Sequence, residues 1–344
     1  FAWDEKYEEI IEMAKILNEV KPDAIIAADG GVMEVLKKYA PDVPIHVSTQ
    51  ANVVSLHAAN FWHKNGAKRV IMAREANKEQ IRYIMENKPK DLEVEMFGHG
   101  AICFAYSGRC FLSDFLCGRS ANLGDCAQSC RWSYNLYAEE KNNPGQLMPL
   151  ESDENGTSIF SSKDLCLIKE IPEIIDMGVD SLKIEGRLKT EYYVASVVNA
   201  YRTAIDDYMK DPENYDYTKY LNELEKVKTR PFTTFYFNDR KNEDIQDFSG
   251  KQYNDKYEFG GKIVEAKEEK SVIEIKNKLT VGDTLEILKP GQFEPIEFKI
   301  EQLWDYETGE KIDFVSPGVK GQKVLMNIPV KCENNWIMRR KKGN

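Results

Sequence analysis

The stretch AIIAADGGVMEVLKKYAPDVPIHVSTQANVVSLHAANFWHKNGAKRVIMARE, residues 24–75, carries the reading of the fold. An apolar run from Ala24 to Ala28 stops at Asp29-Gly30-Gly31, the pattern of a strand, a turn and a helix start. Residues 31–40 have helical spacing, and Ile45 to Thr49 reads as a strand. A helix over 53–65 then ends at Asn65-Gly66, before the strand Val70 to Ala73. Upstream, residues 4–20 place Ile10, Ile11, Ala14 and Leu17 on one helical face. Downstream come a helix over 77–87 and a strand from Leu92 to Phe97. The connections are short and each strand is apolar enough to be buried on both faces. That β-α beat predicts a parallel sheet covered by helices.

The beat returns after a cysteine-rich interval. Ser158–Phe160 reads as a strand, residues 165–177 as a short helix ending at Gly178, and Val179 to Ile184 as a strand running into Glu185-Gly186-Arg187. A long amphipathic helix covers 190–210, and the Tyr- and Asp-rich 211–222 reads as a surface connection. Beyond about 230 the texture changes to short alternating runs: Thr233 to Phe237, Lys262 to Ala266, Ser271 to Lys276, Thr284 to Leu288, Glu297 to Ile300 and Lys323 to Ile328. Turn signals such as Gly282-Asp283 and Pro290-Gly291 separate them, which predicts a small antiparallel β-barrel or sandwich. The expected organisation is a (β/α) domain over 1–229, with a cysteine-rich segment inserted at 98–134, and an all-β domain over 230–344.

The net charge of -10 argues against a generally basic nucleic-acid binder but leaves room for a local basic patch. Arg339, Arg340, Lys341 and Lys342 form such a patch, to be read either as a phosphate-binding tail or as a solvated terminus. No apolar run is long enough to span a bilayer and no signal peptide is visible, so the expectation is a cytoplasmic protein with no membrane partner.

In a parallel barrel the C-terminal strand ends form the functional rim. Here they supply Asp29; Ser48, Thr49, Gln50 and Asn52; Arg74 and Glu75; His99; Lys163 and Asp164; and Lys183, Glu185 and Arg187. Polar residues also simply mark where burial stops, so each alone is weak. Together, Arg74, Lys183 and Arg187, with Gln50 beside them, suit a carboxylate or phosphate substrate. Glu75, His99 and Glu185 are the candidates for proton transfer or orientation.

Of seven cysteines, five lie in GHGAICFAYSGRCFLSDFLCGRSANLGDCAQSCRW: Cys103, Cys110, Cys117, Cys126 and Cys130. In a reducing compartment such a cluster reads as metal ligation or redox chemistry. The spacings are C-x6-C for 103/110 and C-x3-C for 126/130. Zinc knuckles more often show C-x2-C, while iron–sulfur sites tolerate looser spacing. Spacing alone leaves both open. Cys117 lacks a partner at matched spacing and reads as the spare. Cys166, between Leu165 and Leu167, reads as a buried inert thiol in a helix.

The stretches EMFGHGAIC (95–103), YSGRCFLS (106–113), GRSANLGDCAQSCRWSY (118–134), SLKIEGRLKTEYYVASVVNAYR (181–202) and HVSTQAN (46–52) resemble the collagenase-like peptidases of unknown catalytic type, family 32. The likeness runs over essentially the whole chain. It implies a TIM-like (β/α) barrel, incomplete at its N-terminus in this chain, followed by a small β-barrel like the second domain of translation elongation factors. About three barrel strands would precede Phe1. The six counted here would then exceed the eight of such a barrel, so Ser158–Phe160 is the one to drop. Thr233–Phe237 is shorter than the family pattern. The resemblance also maps four family cysteines onto Cys103, Cys110, Cys126 and Cys130, implying a 4Fe-4S cluster. Members of its tRNA hydroxylation branch convert the wobble uridine of certain tRNAs to 5-hydroxyuridine without molecular oxygen and depend on prephenate, a dicarboxylate.

The expectation is therefore an iron–sulfur tRNA-modifying enzyme with tRNA and prephenate as partners; whether a homologous second subunit joins it is left open. Two alternatives remain. A peptidase would use Cys103 and His99 as nucleophile and base, although neither an H-E-x-x-H nor a G-x-S-x-G motif is present. A non-catalytic binding protein would hold zinc on the same thiols.

Overall fold

A computed structural model describes the chain except residues 1, 104, 133, 135–136, 140, 142–143, 146, 150–161, 239–255, 319–321 and 343–344. It divides into two compact units, residues 1–185 with 231–251, and residues 186–230 with 252–344.

The first unit alternates helix and strand as the sequence requires: α1 (Tyr7–Val20), β1 (Ile25–Ala27), α2 (Gly30–Tyr39), β2 (Ile45–Val47), α3 (Leu56–Lys64), β3 (Ala67–Ile71), α4 (Lys78–Asn87) and β4 (Glu93–Ala101). Strands β1 to β4 pair in parallel in chain order. Each helix starts where a side chain can satisfy its orphan amides. Asp29 accepts from Gly31 and Val32 N–H at 2.9 and 3.1 Å, and Asn77 with Gln80 forms a capping box on α4. Asp29 thus has a helix-starting role. The buried faces of the helices, Met33 and Leu36 on α2 and Ile81 and Ile84 on α4, join Val47, Val70 and Val94 in one core.

After α5 (Leu112–Cys117) and a small hairpin, β5 (Tyr137–Glu139) and β6 (Leu147–Pro149), come β7 (Asp164–Cys166), α6 (Ile171–Asp176), β8 (Ser181–Glu185) and, past the second unit's helices, β9 (Phe232–Thr233). Strand β4 forks. It pairs in parallel with β8 through Glu95↔Ser181 to Gly100↔Glu185, and its last three residues pair antiparallel with β7. Among the described residues the sheet is open, from β1 to β9. It is a mixed α/β arrangement with a mainly parallel sheet.

Two expectations change here and a third goes untested. The helix expected over 165–177 begins only at Ile171. Leu165 and Cys166 form a buried strand, because a short apolar run fits either state and Pro172, in the first turn of α6, marks the true start. Thr233 to Phe237 shrinks to β9, paired with β7 in the first unit. Ser158–Phe160 lies outside the described residues.

The second unit holds α7 (Glu191–Lys210), α8 (Thr218–Leu224) and β10 (Tyr257–Glu265), β11 (Ser271–Ile275), β12 (Leu279–Thr280), β13 (Thr284–Leu288), β14 (Ile296–Lys299), β15 (Leu303–Asp305), β16 (Lys311–Ile312), β17 (Phe314–Val315), β18 (Lys323–Met326) and β19 (Ile337–Lys341). Its strands form an antiparallel sheet ordered β14-β13-β19-β10-β11-β18-β15-β16, with β12 and β17 as a separate pair, around a core including Ile263, Leu285, Leu303 and Met338. The Tyr- and Asp-rich connection is not merely surface: Tyr220 is buried and donates its hydroxyl to Asp207 at 2.5 Å.

The basic tail is also corrected. Arg339 and Arg340 lie on β19, the second central to the pairing with Glu258 and Asp283. Arg339 is 0% exposed and held by Glu223 and Glu286. Their charges neutralise carboxylates within the unit, so neither stands as an open phosphate ligand. No described helix is long and apolar enough to cross a membrane.

Candidate cysteine site

The site begins where β4 ends. Gly100 has φ +113°, and a Cβ there would lie 2.2 Å from the Glu185 carbonyl oxygen, so only glycine lets β4 and β8 approach. Two residues on, the chain leaves the sheet through buried Ile102 and reaches Cys103.

The segment that follows is pinned to neighbouring strand ends. The Glu75 carboxylate, just past β3, accepts the Ser107 amide at 2.8 Å and the Ser107 hydroxyl at 2.5 Å. This double acceptor holds Ser107 in the left-handed region at φ 42°. Arg109 donates two hydrogen bonds to the Gln50 carbonyl, at 3.1 and 3.0 Å. Glu75 and Gln50 therefore act as anchors of the cysteine segment. Further along, the Cys110 amide donates to Asn122 at 3.3 Å and the Ala127 amide to the Ser113 hydroxyl at 2.9 Å. Arg131 closes the segment onto the sheet, donating to the fully buried Asp164 carboxylate at 2.9 Å and to the Ile102 carbonyl at 3.1 Å.

Electrostatics group the four thiols. Burial pushes the Cys103 thiol up, and the charges of Cys110 and Cys126 push it further, while Arg74 opposes. Burial likewise raises Cys130, opposed by Arg131 and reinforced by Cys103, Cys126 and Cys110. Backbone amides reach the sulfurs, from Leu112 to Cys110 at 3.4 Å and from Gln128 to Cys126 at 3.3 Å, the kind of contact that stabilises ligating thiolates. Cys117 is exposed and donates to the Ser113 carbonyl at 2.9 Å. Cys166 is buried, on β7. Among the described residues no three His, Cys, Asp or Glu side chains converge closely enough for a single metal ion.

Arg74 faces this group. Its guanidinium stacks 3.6 Å from the Phe97 ring centroid. Burial pulls its pKa down, against the charges of Glu185, Cys103 and Glu75. Among the described residues it makes no ion pair. The other proposed cations are placed differently. Lys183 is bound to Glu95 at 3.3 Å, in a network where Glu95 also accepts from Arg69 and Ser181, both at 2.9 Å. Arg187 belongs to the residues of the second unit and is exposed. His99 is 0% exposed within β4, its ring edge-on to Phe232 at 5.4 Å. The structure therefore brings together Arg74, Glu75, Glu185 and the four cysteines, and leaves His99 inside the sheet. Sequence reasoning missed Ser107 and Phe97. Ser107-Gly108 is a turn signal that could have flagged the first; no local signal marks the second.

Residues 1–247 match the profile of Peptidase family U32, and residues 255–339 that of the Peptidase family U32 C-terminal domain. The tRNA hydroxylation protein P1 of Bacillus subtilis is 38% identical over 316 residues, 91% of this chain and 73% of that protein. An uncharacterized protease of Methanocaldococcus jannaschii is 41% identical over 294 residues, 82% of this chain and 69% of the other. The 23S rRNA 5-hydroxycytidine C2501 synthase of Escherichia coli is 31% identical over 295 residues, 83% of this chain and 42% of that enzyme.

Proposed function

The chain belongs to peptidase family U32, and from that premise we propose that it is an RNA-modifying enzyme that hydroxylates the wobble uridine of tRNA, with prephenate as co-substrate. The observation that carries the reading is the grouping of Cys103, Cys110, Cys126 and Cys130 beside Arg74, which makes no ion pair among the described residues. Relatives named for hydroxylation of a tRNA and of a ribosomal RNA base support it.

Four cysteines with amide N–H donors at two of the sulfurs fit a group wider than one ion, and we assign them to a 4Fe-4S cluster. When bound, such a cluster would supply electron transfer. The chain's own residues do the rest. Arg74 binds a carboxylate of the co-substrate through paired N–H donors, and Phe97 fixes the guanidinium plane. Glu75 holds the Cys103–Cys110 loop through Ser107, and Arg131 holds the Cys126–Cys130 loop through Asp164. Glu185 adds negative charge beside Arg74, and we assign proton transfer to it. In the same reading, β1 to β4 and β8 are consecutive staves of a (β/α) barrel.

The peptidase alternative fares worse. A cysteine nucleophile needs a lowered pKa, whereas burial raises that of Cys103, and the base it would use, His99, is enclosed in the sheet.

The deciding experiment purifies the chain anaerobically and measures iron, sulfide and zinc, then assays a uridine-containing anticodon stem–loop for one added oxygen by mass spectrometry. Roughly four irons per chain, lost in Cys126→Ala, with prephenate-dependent hydroxylation lost in Arg74→Gln, is the expected result. One zinc and no iron, or hydroxylation unchanged in both variants, would refute it.

A further inference from the structure

Helix α5 is built inside out. Its buried residue is Ser113, whose hydroxyl tethers the Cys126 loop through the Ala127 amide. Its aromatic residues face solvent. Phe111 is 77% exposed and Phe115 is 84% exposed. They are four residues apart, with the Phe115 amide bonded to the Phe111 carbonyl at 2.8 Å, so their rings share one helical face. Tyr106, Leu123 and Trp132, on the same cysteine segment, are exposed as well. Large rings left in water beside a reactive centre cost free energy unless something covers them.

We propose that this aromatic face is the platform on which unstacked bases of a single-stranded RNA loop lie while one base is presented to the cysteine site. The inference rests on the RNA-modifying reading and specifies how the substrate is held. Two features favour RNA over an apolar protein partner. Arg109 and Arg119, both exposed, the second in a surface pair with Asp125, bracket Phe111 and Phe115 in sequence, the pairing of phosphate-binding cations with stacking rings that single-stranded nucleic acid uses. Phe111 directly follows Cys110, so a base stacked there has a neighbour within reach of the thiol group. Enzymes that modify a base must first take it out of the stack, and an aromatic face offers the displaced neighbours a substitute.

The test uses the full chain, wild type and with Phe111→Ser and Phe115→Ser singly and together, plus Phe115→Trp. The probe is an anticodon-type RNA stem–loop with a fluorescent adenine analogue beside the loop uridine. Wild-type protein quenches the analogue by stacking. Each serine variant weakens binding roughly tenfold, the double variant by more, and Phe115→Trp keeps both affinity and quenching. Unchanged melting temperature shows that these exposed positions are not structural. A double variant with wild-type affinity and quenching overturns the platform while leaving the RNA reading intact, and so does one whose only change is a shift in sedimentation toward smaller species. A wild-type protein that neither binds nor hydroxylates the stem–loop overturns both.

Discussion

Arg339→Met removes the cation at the centre of a buried ion triad and keeps much of the side chain's volume. Arg339 on β19 bonds the Glu223 carboxylate through both terminal nitrogens, and Glu286 through Nε at 2.7 Å. Without it two carboxylates stay enclosed with Lys226 as the remaining cation on Glu223. Removing one partner of a buried pair costs about 3–5 kcal/mol. With a urea slope of about 2 kcal/mol per molar, the midpoint falls by about 2 M. The pH dependence sharpens the test. Burial pushes the Glu223 carboxyl up, but the hydrogen bonds and charge of Arg339, with help from Lys226, hold it below its ordinary 4.5. A depressed carboxyl contributes stability above its unfolded pKa and loses it as pH falls through the folded value. Wild-type protein therefore weakens on acidification below about pH 4.5. In the variant burial acts with far less opposition, the folded pKa rises above the unfolded one, and protonation relieves the site. The stability gap between the two proteins should narrow from pH 7 to about pH 4. Urea unfolding followed by tryptophan fluorescence at both pH values measures it. Adding Glu223→Leu and Glu286→Leu should recover most of the loss. A gap under about 1 kcal/mol at pH 7, or one that widens in acid, would refute the reasoning.

Three further outcomes are expected. Gly100→Ala places a methyl 2.2 Å from the Glu185 carbonyl at φ +113°, and should cost at least about 3 kcal/mol, read as a large fall in melting temperature or loss of soluble protein. An unchanged melt would show that β4 and β8 can part there. Glu75→Gln keeps the shape of the anchor but makes its hydrogen bonds neutral; a loss of about 1 kcal/mol should speed exchange of the Ser107 amide close to fivefold while distant amides stay unchanged. Cys117→Ser should retain metal and Cys110→Ser should lose it, since Cys117 is exposed and turned to the Ser113 carbonyl while Cys110 acts on the buried Cys103 and Cys130; equal metal content in the two would dissolve the assignment.

The parts of the fold written in local pattern were legible. The 24–75 stretch shows strand, turn and helix at the right residues, because Asp29 and Asn65-Gly66 are punctuation with a mechanism. The parts decided by partners were not. Leu165 and Cys166 became a strand because β4 offers an edge to them, and no window of sequence contains that edge. Arg339 looked like an exposed tail because its charge partners, Glu223 and Glu286, lie far away along the chain. At the site, the four cysteines and Arg74 were visible as residue types. That Lys183 is neutralised beside the same Phe97 ring was invisible, because it depends on Glu95 capturing the lysine across the sheet. His99 shows the same limit: it sits at a strand end by count, yet β7 and β8 cover both sides of it.

The fork in β4 sets an order of events during synthesis. The strand leads directly into Cys103, yet Ser181, which bonds Glu95, is 86 residues away, and Asp164, which receives Arg131, is 33 residues beyond it. Every cysteine of the segment therefore leaves the ribosome after its anchors Gln50 and Glu75 but before Asp164 and β8, which complete its hold on the sheet. Pairings over such separations form late, after local helices. The nascent protein passes through an interval in which its thiols are sequential neighbours without a sheet to hold them, and oxidation in that interval would cross-link the wrong pairs. Assembly of the site must follow β8, so its thiols need a reducing environment at least until the chain has reached Glu185.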